Sequence, residues 1–226
     1  IIPGPFAMCT LSTMTHDHSA VQQRGTYRHG ALHQALLDAG VAMAREGGPD
    51  AVVLREATRR AGVSPNAAYR HFADREALVA AVSDTASGAS AAAIEAEWDA
   101  VPAGSAAETA RAHLRAVGMG YLRFARDEPG LFRAAFTVPS NLDQAFSPAK
   151  AGPGGRTPFQ LLGIALDEMV ATGLMPAERR AGAELIAWSS VHGLAMLHLQ
   201  GPLRDLDEAT LRHAATALID MVERGL

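Results

Sequence analysis

Residues 61–65, Ala-Gly-Val-Ser-Pro, constrain the fold of this chain more than any other feature. Gly62 can adopt the left-handed conformation that ends a helix. Ser64 and Pro65 are typical of the N-cap and first position of a new helix, where the missing proline N–H costs nothing. The segment predicts two short helices joined by a tight turn, with the Ser64 hydroxyl capping the second one.

The second of these helices has two faces of different composition. At 100° per residue, Ala68 and Phe72 share one face, which predicts packing against the preceding helix. Asn66, Tyr69 and Arg70 cluster on the opposite face and can contact base edges and phosphates. A helical hairpin whose polar residues are merely solvated is the alternative. The short spacing and the aromatic and basic composition favour a DNA-binding helix-turn-helix.

Residues 28–82 resemble the DNA-binding domain of the tetracycline-repressor (TetR) family of bacterial transcription regulators. The matching elements are residues 61–64, residues 69–72, and the pair Arg75 and Glu76. Val53 departs from the family pattern, which usually has a Ser or Thr capping the second helix at this point. The loss of such a cap costs about 1 kcal/mol. The resemblance implies a transcription regulator that binds DNA through this segment.

The candidate DNA contacts fall into two groups. We expect Asn66 and Arg70 to read base edges and Ala67 to touch a thymine methyl group. The expected backbone contacts come from Tyr27, Arg28, His29, Arg55, Ser64, Pro65, Tyr69, His71 and Arg75. For the first three, at the start of the first helix, a fraying and solvated segment is the alternative.

Charge is distributed unevenly along the 226 residues. The net charge is −4, which argues against a protein that coats nucleic acid indiscriminately. Residues 22–82 carry +2 and residues 83–226 carry −5, so the basic charge lies with the helix-turn-helix. Because this excess is small, we expect the protein to need the phosphate contacts of a dimer to remain on DNA.

The sequence has no clear motif for membrane insertion, secretion, metal binding or catalysis. No apolar run approaches the roughly 20 residues that span a bilayer, and no signal peptide is recognisable, so we expect a cytoplasmic protein without membrane contact. The single Cys9 excludes an internal disulfide. Only His29 and His33 have metal-ligand spacing, and no third ligand accompanies them. With no nucleophile elbow and no phosphate-binding glycine loop, we expect no metal site, cofactor or catalytic residue.

The remaining sequence reads as helix, and we expect an all-α fold. The pattern predicts helices over residues 29–45, 75–98, 106–127, 158–173, 177–200 and 207–225, with a short one from Pro129 and a mobile loop or lid over 138–156. We expect three parts: a disordered or non-native tail (1–23), a helix-turn-helix domain (24–82) and a ligand-sensing and dimerisation domain (83–226).

The last two predicted helices indicate an interface between two copies of the chain. Residues 177–200 are apolar on every side, whereas residues 207–225 are apolar on one side. A helix that is apolar all round must be buried all round. Two such helices from each of two chains would form a four-helix interface, which predicts a homodimer.

A small and largely apolar effector is the expected ligand of the C-terminal domain. Trp188, His192 and Gly193 resemble the Trp-His-Gly signature of one TetR C-terminal subgroup, although the Trp lies earlier. His192 could hydrogen-bond a ligand between Trp188 and Met196, or it could be a satisfied core or interface histidine. The other candidates, each either cavity lining or plain core, are Met119, Tyr121, Phe124, Phe136, Phe159 and Met169.

These observations together predict a homodimeric regulator, expected to be a ligand-responsive repressor, that binds a near-palindromic double-stranded operator. Its two recognition helices would enter major grooves about 34–36 Å apart. A DNA-bending architectural protein without an effector, and an enzyme with an appended helix-turn-helix, are the alternatives. The sequence identifies neither the effector nor the operator.

Overall fold

The computed structural model describes the backbone of residues 19–138 and 141–226, and the side chains from residue 30 onward except residues 137, 139 and 140. Its helices are α1 (Ser19–Gly47), α2 (Leu54–Arg60), α3 (Pro65–Ala68), α4 (Arg75–Asp99), α5 (Ala106–Asp127), α6 (Pro129–Thr137), α7 (Pro158–Ala171), α8 (Ala183–Gln200) and α9 (Glu208–Gly225). Short 3₁₀ turns lie at Pro49–Ala51, Leu142–Phe146, Pro148–Lys150 and Ala177–Arg179. No strand occurs in these ranges, and the predicted all-α class is confirmed.

The N-terminal head consists of α1, α2, α3 and the beginning of α4. Its core contains Leu36, Met43, Ala57 and Phe72, all of which are almost fully buried. A chain of ion pairs on the surface joins α1 to α2, because Arg60 bridges Glu46 and Glu56. These hydrogen bonds hold the pKa of Glu46 below its ordinary value.

The turn between α2 and α3 has the predicted backbone but not the predicted cap. Gly62 is left-handed with φ of 67°. Its N–H donates to the Arg59 carbonyl, and the Val63 N–H donates to the Thr58 carbonyl, which together form a Schellman motif. Ser64 occupies the N-cap, but its side chain makes no cap hydrogen bond. The expectation of a hydroxyl cap was wrong, because the Ala67 N–H donates to the Ser64 carbonyl instead.

Helix α4 starts in the head and continues through the C-terminal domain. Asp74 caps it by accepting from the Ala77 N–H. A Cβ at Gly120 of α5 would lie 2.6 Å from the Ile94 Cα, so the two helices approach to backbone contact. By length and mean hydropathy alone, Arg75–Asp99 is long and apolar enough to cross a membrane. Half of its most apolar stretch is buried in the protein, as in a core helix, and its many alanines raise the hydropathy.

Helix α5 buries one face in the core and pairs its other face with α9. Leu114 and Val117 are among its buried side chains, as the periodicity predicts. Arg111 and Arg115 form ion pairs with Glu223 of α9. These pairs fix the last helix against the centre of the domain.

Three predicted boundaries differ from the structure. Helix α1 begins at Ser19, within the expected 1–23 tail, and residues 1–18 with Cys9 lie outside the described residues. The expected helix 177–200 is interrupted, because Gly182 is left-handed and α8 starts only at Ala183. The expected loop 138–156 contains two 3₁₀ turns and packs on α4, where the Gly154 N–H donates to Glu95.

Candidate DNA-binding surface and effector cavity

The exposed face of α3 carries the predicted base-reading residues. Asn66 and Arg70 are exposed, and the Tyr69 side chain is 58% accessible although it is large and aromatic. Hydrogen bonds from the Tyr69 and His71 amides to Pro65 and Ala68 continue the helical path beyond α3. Together these residues form one projecting surface, opposite the face where Ala68 is buried.

The arginines of the head differ in their partners. Arg59 and Arg60 both pair with Glu56, and they lower the pKa of this carboxyl to about 2. Within the described part of the chain, Arg55 and Arg70 have no salt-bridge partner. Arg55 and Arg70 are therefore the described guanidinium groups of the head that remain available for phosphates or bases.

The other candidates for backbone contact lie in different environments. Ser64 and Pro65 are exposed at the start of α3, and Ala67 is half-buried beside them. His71 is half-buried and lies edge-on to His33, which stacks on Phe72. Tyr27, Arg28 and His29 belong to α1, and their side chains lie outside the described residues.

Arg75 has a contact that the sequence did not predict. Its Nε donates to the Val52 carbonyl at 2.8 Å, and its Nη2 donates to the Pro49 carbonyl at 2.9 Å. Arg75, an expected phosphate contact, therefore also links α4 to the connection of α1 with α2. Sequence reasoning missed this link because both acceptors are backbone carbonyls more than twenty residues away.

The C-terminal domain encloses a cavity of about 230 Å³ between α4, α5, α6, α7, α8 and α9. Four of the predicted ligand residues lie in its wall: Tyr121, Phe136, Phe159 and Trp188. Leu142 and Ala145, from the segment that was expected to be a lid, also line it. The wall is mostly apolar and aromatic, as in sites that bind small organic molecules.

The other predicted ligand residues do not line this cavity. They are Met119, Phe124, Met169, His192 and Met196. Phe124 and Met169 are core residues with almost no exposure, and Met119 and Met196 pack against the same core. A helical stripe predicts burial, but it does not distinguish the wall of a cavity from the filled core behind it.

His192 lies behind the wall in a short chain of hydrogen bonds. Trp188 Nε1 donates to the Tyr121 hydroxyl at 3.2 Å, and this hydroxyl lies 2.8 Å from His192 Nδ1. With His192 neutral and its proton on Nε2, Nδ1 would accept the tyrosine proton, since no other acceptor for it lies among the described residues. Burial lowers the pKa of His192 and raises the pKa of Tyr121. Both shifts favour the neutral forms.

Sequence reasoning missed the polar part of the wall. Ser87 of α4, Asn141 and Lys150 line the cavity, and Lys150 is only 8% exposed. A signal was present, because Lys150 is the single lysine in a chain whose other basic residues are arginines. Its position in a loop rich in Pro and Gly gave no reason to expect burial.

Comparisons with known families cover both domains. Residues 36–82 match the model for bacterial regulatory proteins of the tetR family, and residues 114–222 match the tetracyclin repressor-like C-terminal domain. The chain belongs to the TetR family. It is a transcriptional regulator with a helix-turn-helix DNA-binding domain and a C-terminal domain of the type that binds ligands in this family.

Solved structures have the fold of this TetR-family regulator. A protein of unknown function from Rhodococcus sp. RHA1 is 27% identical, with a TM-score of 0.66 over 88% of this chain and 97% of its own. A putative tetR family regulator from Shewanella sp. PV-4 is 19% identical, with a TM-score of 0.56 over 83% and 95%. The TetR family regulator PfmR from Thermus thermophilus is 20% identical, with a TM-score of 0.50 over 84% and 98%. No protein with a curated function matches the sequence.

Proposed function

We propose that this TetR-family regulator is a ligand-responsive repressor. It binds a near-palindromic operator as a homodimer and releases it when a small, largely apolar effector fills the 230 Å³ cavity. The proposal includes a non-enzymatic role and a cytoplasmic location, where operator DNA is present. The observation that carries it is that the cavity wall includes α4 and α6, both of which also contact the head.

Helix α6 supports this coupling through a backbone contact with α1. A Cβ at Gly130 would lie 2.3 Å from the Ala44 carbonyl oxygen, so the start of α6 rests on the end of α1. Arg45 and Glu128 form an ion pair at 2.8 Å at the same point. Phe136 of α6 lines the cavity. A ligand that displaces Phe136 would therefore move α6 against the first helix of the head.

Helix α4 supports the coupling by continuity. It starts three residues after Phe72, the buried residue that follows α3, and its Ser87 and Ile94 line the cavity. A helix transmits a shift along its length because its backbone hydrogen bonds resist bending. A ligand that favours one position of α4 would change the separation of the two recognition helices, and DNA would reduce ligand affinity by the same factor.

In the DNA complex we assign base reading to Asn66 and Arg70, with Ala67 against a thymine methyl group. Phosphate contacts come from Tyr69, His71, Ser64 and Arg55. The sequence candidates Tyr27, Arg28, His29 and Pro65 complete the phosphate set. The Ser64 hydroxyl is exposed and makes no cap hydrogen bond, so it can donate to a phosphate oxygen.

The test has two stages. Fragments of genomic DNA selected by the purified protein should share a two-fold sequence with half-sites one helical turn apart. A compound panel is then screened for thermal stabilisation, because a ligand that binds only the folded state raises the melting temperature. At least one stabilising compound should release the selected DNA. Strong DNA bending without any stabilising compound would indicate an architectural protein and overturn the proposal.

A further inference from the structure

Lys150 brings a positive charge to the wall of a largely apolar cavity. Its side chain is 10% exposed, and Asp84 is its one ion-pair partner in the described chain, at 3.8 Å. That distance is too long for a hydrogen bond. Among the described residues, no Asp or Glu lines the cavity. The ammonium group is therefore in a long ion pair with Asp84, but its hydrogen-bond donors have no acceptor in the described chain, at a place where unsatisfied donors are costly.

Close packing of the loop on α4 fixes the position of Lys150. A Cβ at Gly88 would lie 2.8 Å from the Ala151 carbonyl oxygen, so the backbone next to Lys150 touches the helix. A Cβ at Gly152 would lie 2.9 Å from both the Ala91 Cβ and the Glu95 carboxylate, which extends the contact. Lys150 is thus held in the wall by its own backbone.

The remaining polar groups of the wall are also donors. The Ser87 hydroxyl makes no hydrogen bond within the described chain, and Asn141 uses its amide oxygen to accept from the Gln144 N–H. Tyr121 and Trp188 are occupied by each other and by His192. The polar side chains that line the cavity thus carry one ammonium, one hydroxyl and one amide group, with aromatic rings around them.

We propose that the effector is a small apolar monocarboxylate whose carboxylate pairs with Lys150, an inference that rests on the proposed effector cavity. A single ammonium neutralises one negative charge, whereas a phosphate dianion would leave a second one unpaired in an apolar wall. A cavity of roughly 150 Å³ holds benzene. The 230 Å³ available here fits a ring or short chain of somewhat larger size next to Phe136, Phe159 and Trp188.

The experiment compares acids with their neutral amides. Titration calorimetry measures the binding of 4-phenylbutyrate, octanoate and their amides to the full-length protein and to three variants, Lys150→Met, Lys150→Arg and Asp84→Asn. In the wild type each acid should bind about tenfold or more tightly than its amide, because a charge-assisted bond is lost in the amide. This preference should fall to within about twofold in Lys150→Met.

The other variants keep the inference testable if Lys150→Met fails to fold. Lys150→Arg should retain the preference for acids, and Asp84→Asn, which removes the competing carboxylate, should retain or increase it. Equal binding of acid and amide by the wild type, or loss of the preference in Asp84→Asn, would overturn the role of Lys150 and leave the cavity as an effector site. Failure of every acid and every amide to bind would count against the proposed effector cavity itself.

Discussion

Two arginine side chains of the head, Arg70 and Arg75, make different contacts although they are close in sequence. Arg70 is exposed and has no ion-pair partner in the described chain, whereas Arg75 donates to the Val52 and Pro49 carbonyls. We expect Arg70→Ala to weaken binding to the selected operator by about 1–3 kcal/mol and to relax one base position. Fluorescence anisotropy with operator variants measures both effects, and the melting temperature should not change.

Arg75→Met is the variant to compare with Arg70→Ala, because we expect it to affect stability and not base reading. The substitution removes two charge-assisted hydrogen bonds and leaves two carbonyls without these donors, so we expect a loss of about 1–3 kcal/mol in the free energy of unfolding. Urea denaturation measures this loss. If Arg75→Met weakens DNA binding without any change in stability, the carbonyl contacts are unimportant and Arg75 binds phosphate as the sequence suggested.

The contribution of His192 to the stability of the protein should depend on pH. Burial lowers the pKa of His192 below the ordinary value of 6.5, so the unfolded chain takes up the proton more readily than the folded one. The neutral His192 therefore contributes stability that is complete above about pH 6.5 and is lost as the pH falls through the lowered pKa. We expect the melting temperature of wild type relative to His192→Gln to be higher at pH 8 than at pH 5. An unchanged difference across this range would contradict the lowered pKa of His192.

Residue-level prediction from sequence succeeded where the determining contacts are local. The left-handed Gly62 and the start of α3 at Pro65 follow from neighbouring residues, and both were predicted. The wall position of Lys150 and the carbonyl contacts of Arg75 depend on segments that only tertiary structure brings together. The burial of Phe124 was predictable, but its distance from the cavity was not.

At the scale of secondary-structure elements, the contact between α4 and α5 depends on Gly120. A Cβ at Gly120 would meet the α4 backbone at Ile94 and Ala93 within 3 Å, and backbone atoms cannot move aside as a flexible side chain can. We expect Gly120→Ala to destabilise the protein by about 1–3 kcal/mol through overpacking. Thermal and urea denaturation measure the effect.

Gly163 of α7 is the matched control for Gly120. A Cβ there would have only ordinary contacts, the nearest at 3.7 Å from Glu184. Because Ala is the better helix former by about 1 kcal/mol, Gly163→Ala should leave stability unchanged or raise it. Equal losses at both positions would show that helix packing does not determine the cost at Gly120.

Helices could be predicted from the sequence where their apolar residues recur at regular spacing along the chain. Helix α5 was predicted with both of its ends, since its periodicity is continuous and Asp127 precedes Pro129. The interruption at Gly182 and the 3₁₀ turns at Leu142–Phe146 and Pro148–Lys150 carry no periodic signal. The cavity needs six helices and one loop to meet, and no local pattern encodes such a meeting.

At the scale of the whole molecule, one surface of α8 is apolar and accessible. Ile186 and Leu197 are eleven residues apart and therefore share a helix face. The hydroxyl groups of Ser189 and Ser190, which lie between them, both donate to the Ile186 carbonyl and leave the face apolar. Met221 of α9 is exposed as well. This surface fits the proposed dimer interface, because exposed apolar residues on one helix face are typical of protein contacts.

The dimer prediction can be tested with two variants that each replace an exposed apolar residue by glutamate, one inside and one outside the proposed interface. Ile186 is 58% exposed on α8, and Leu142 is 47% exposed on the loop that covers the cavity. Ile186→Glu buries a carboxylate in the proposed interface and should shift the protein to monomers, whereas Leu142→Glu should leave the dimer intact. Because two linked heads gain about 10²–10⁴ in affinity over one, Ile186→Glu should lower operator affinity by a similar factor without touching the DNA surface. Sedimentation velocity and operator titration measure the two effects. A dimeric Ile186→Glu protein with unchanged operator affinity would place the interface on another surface.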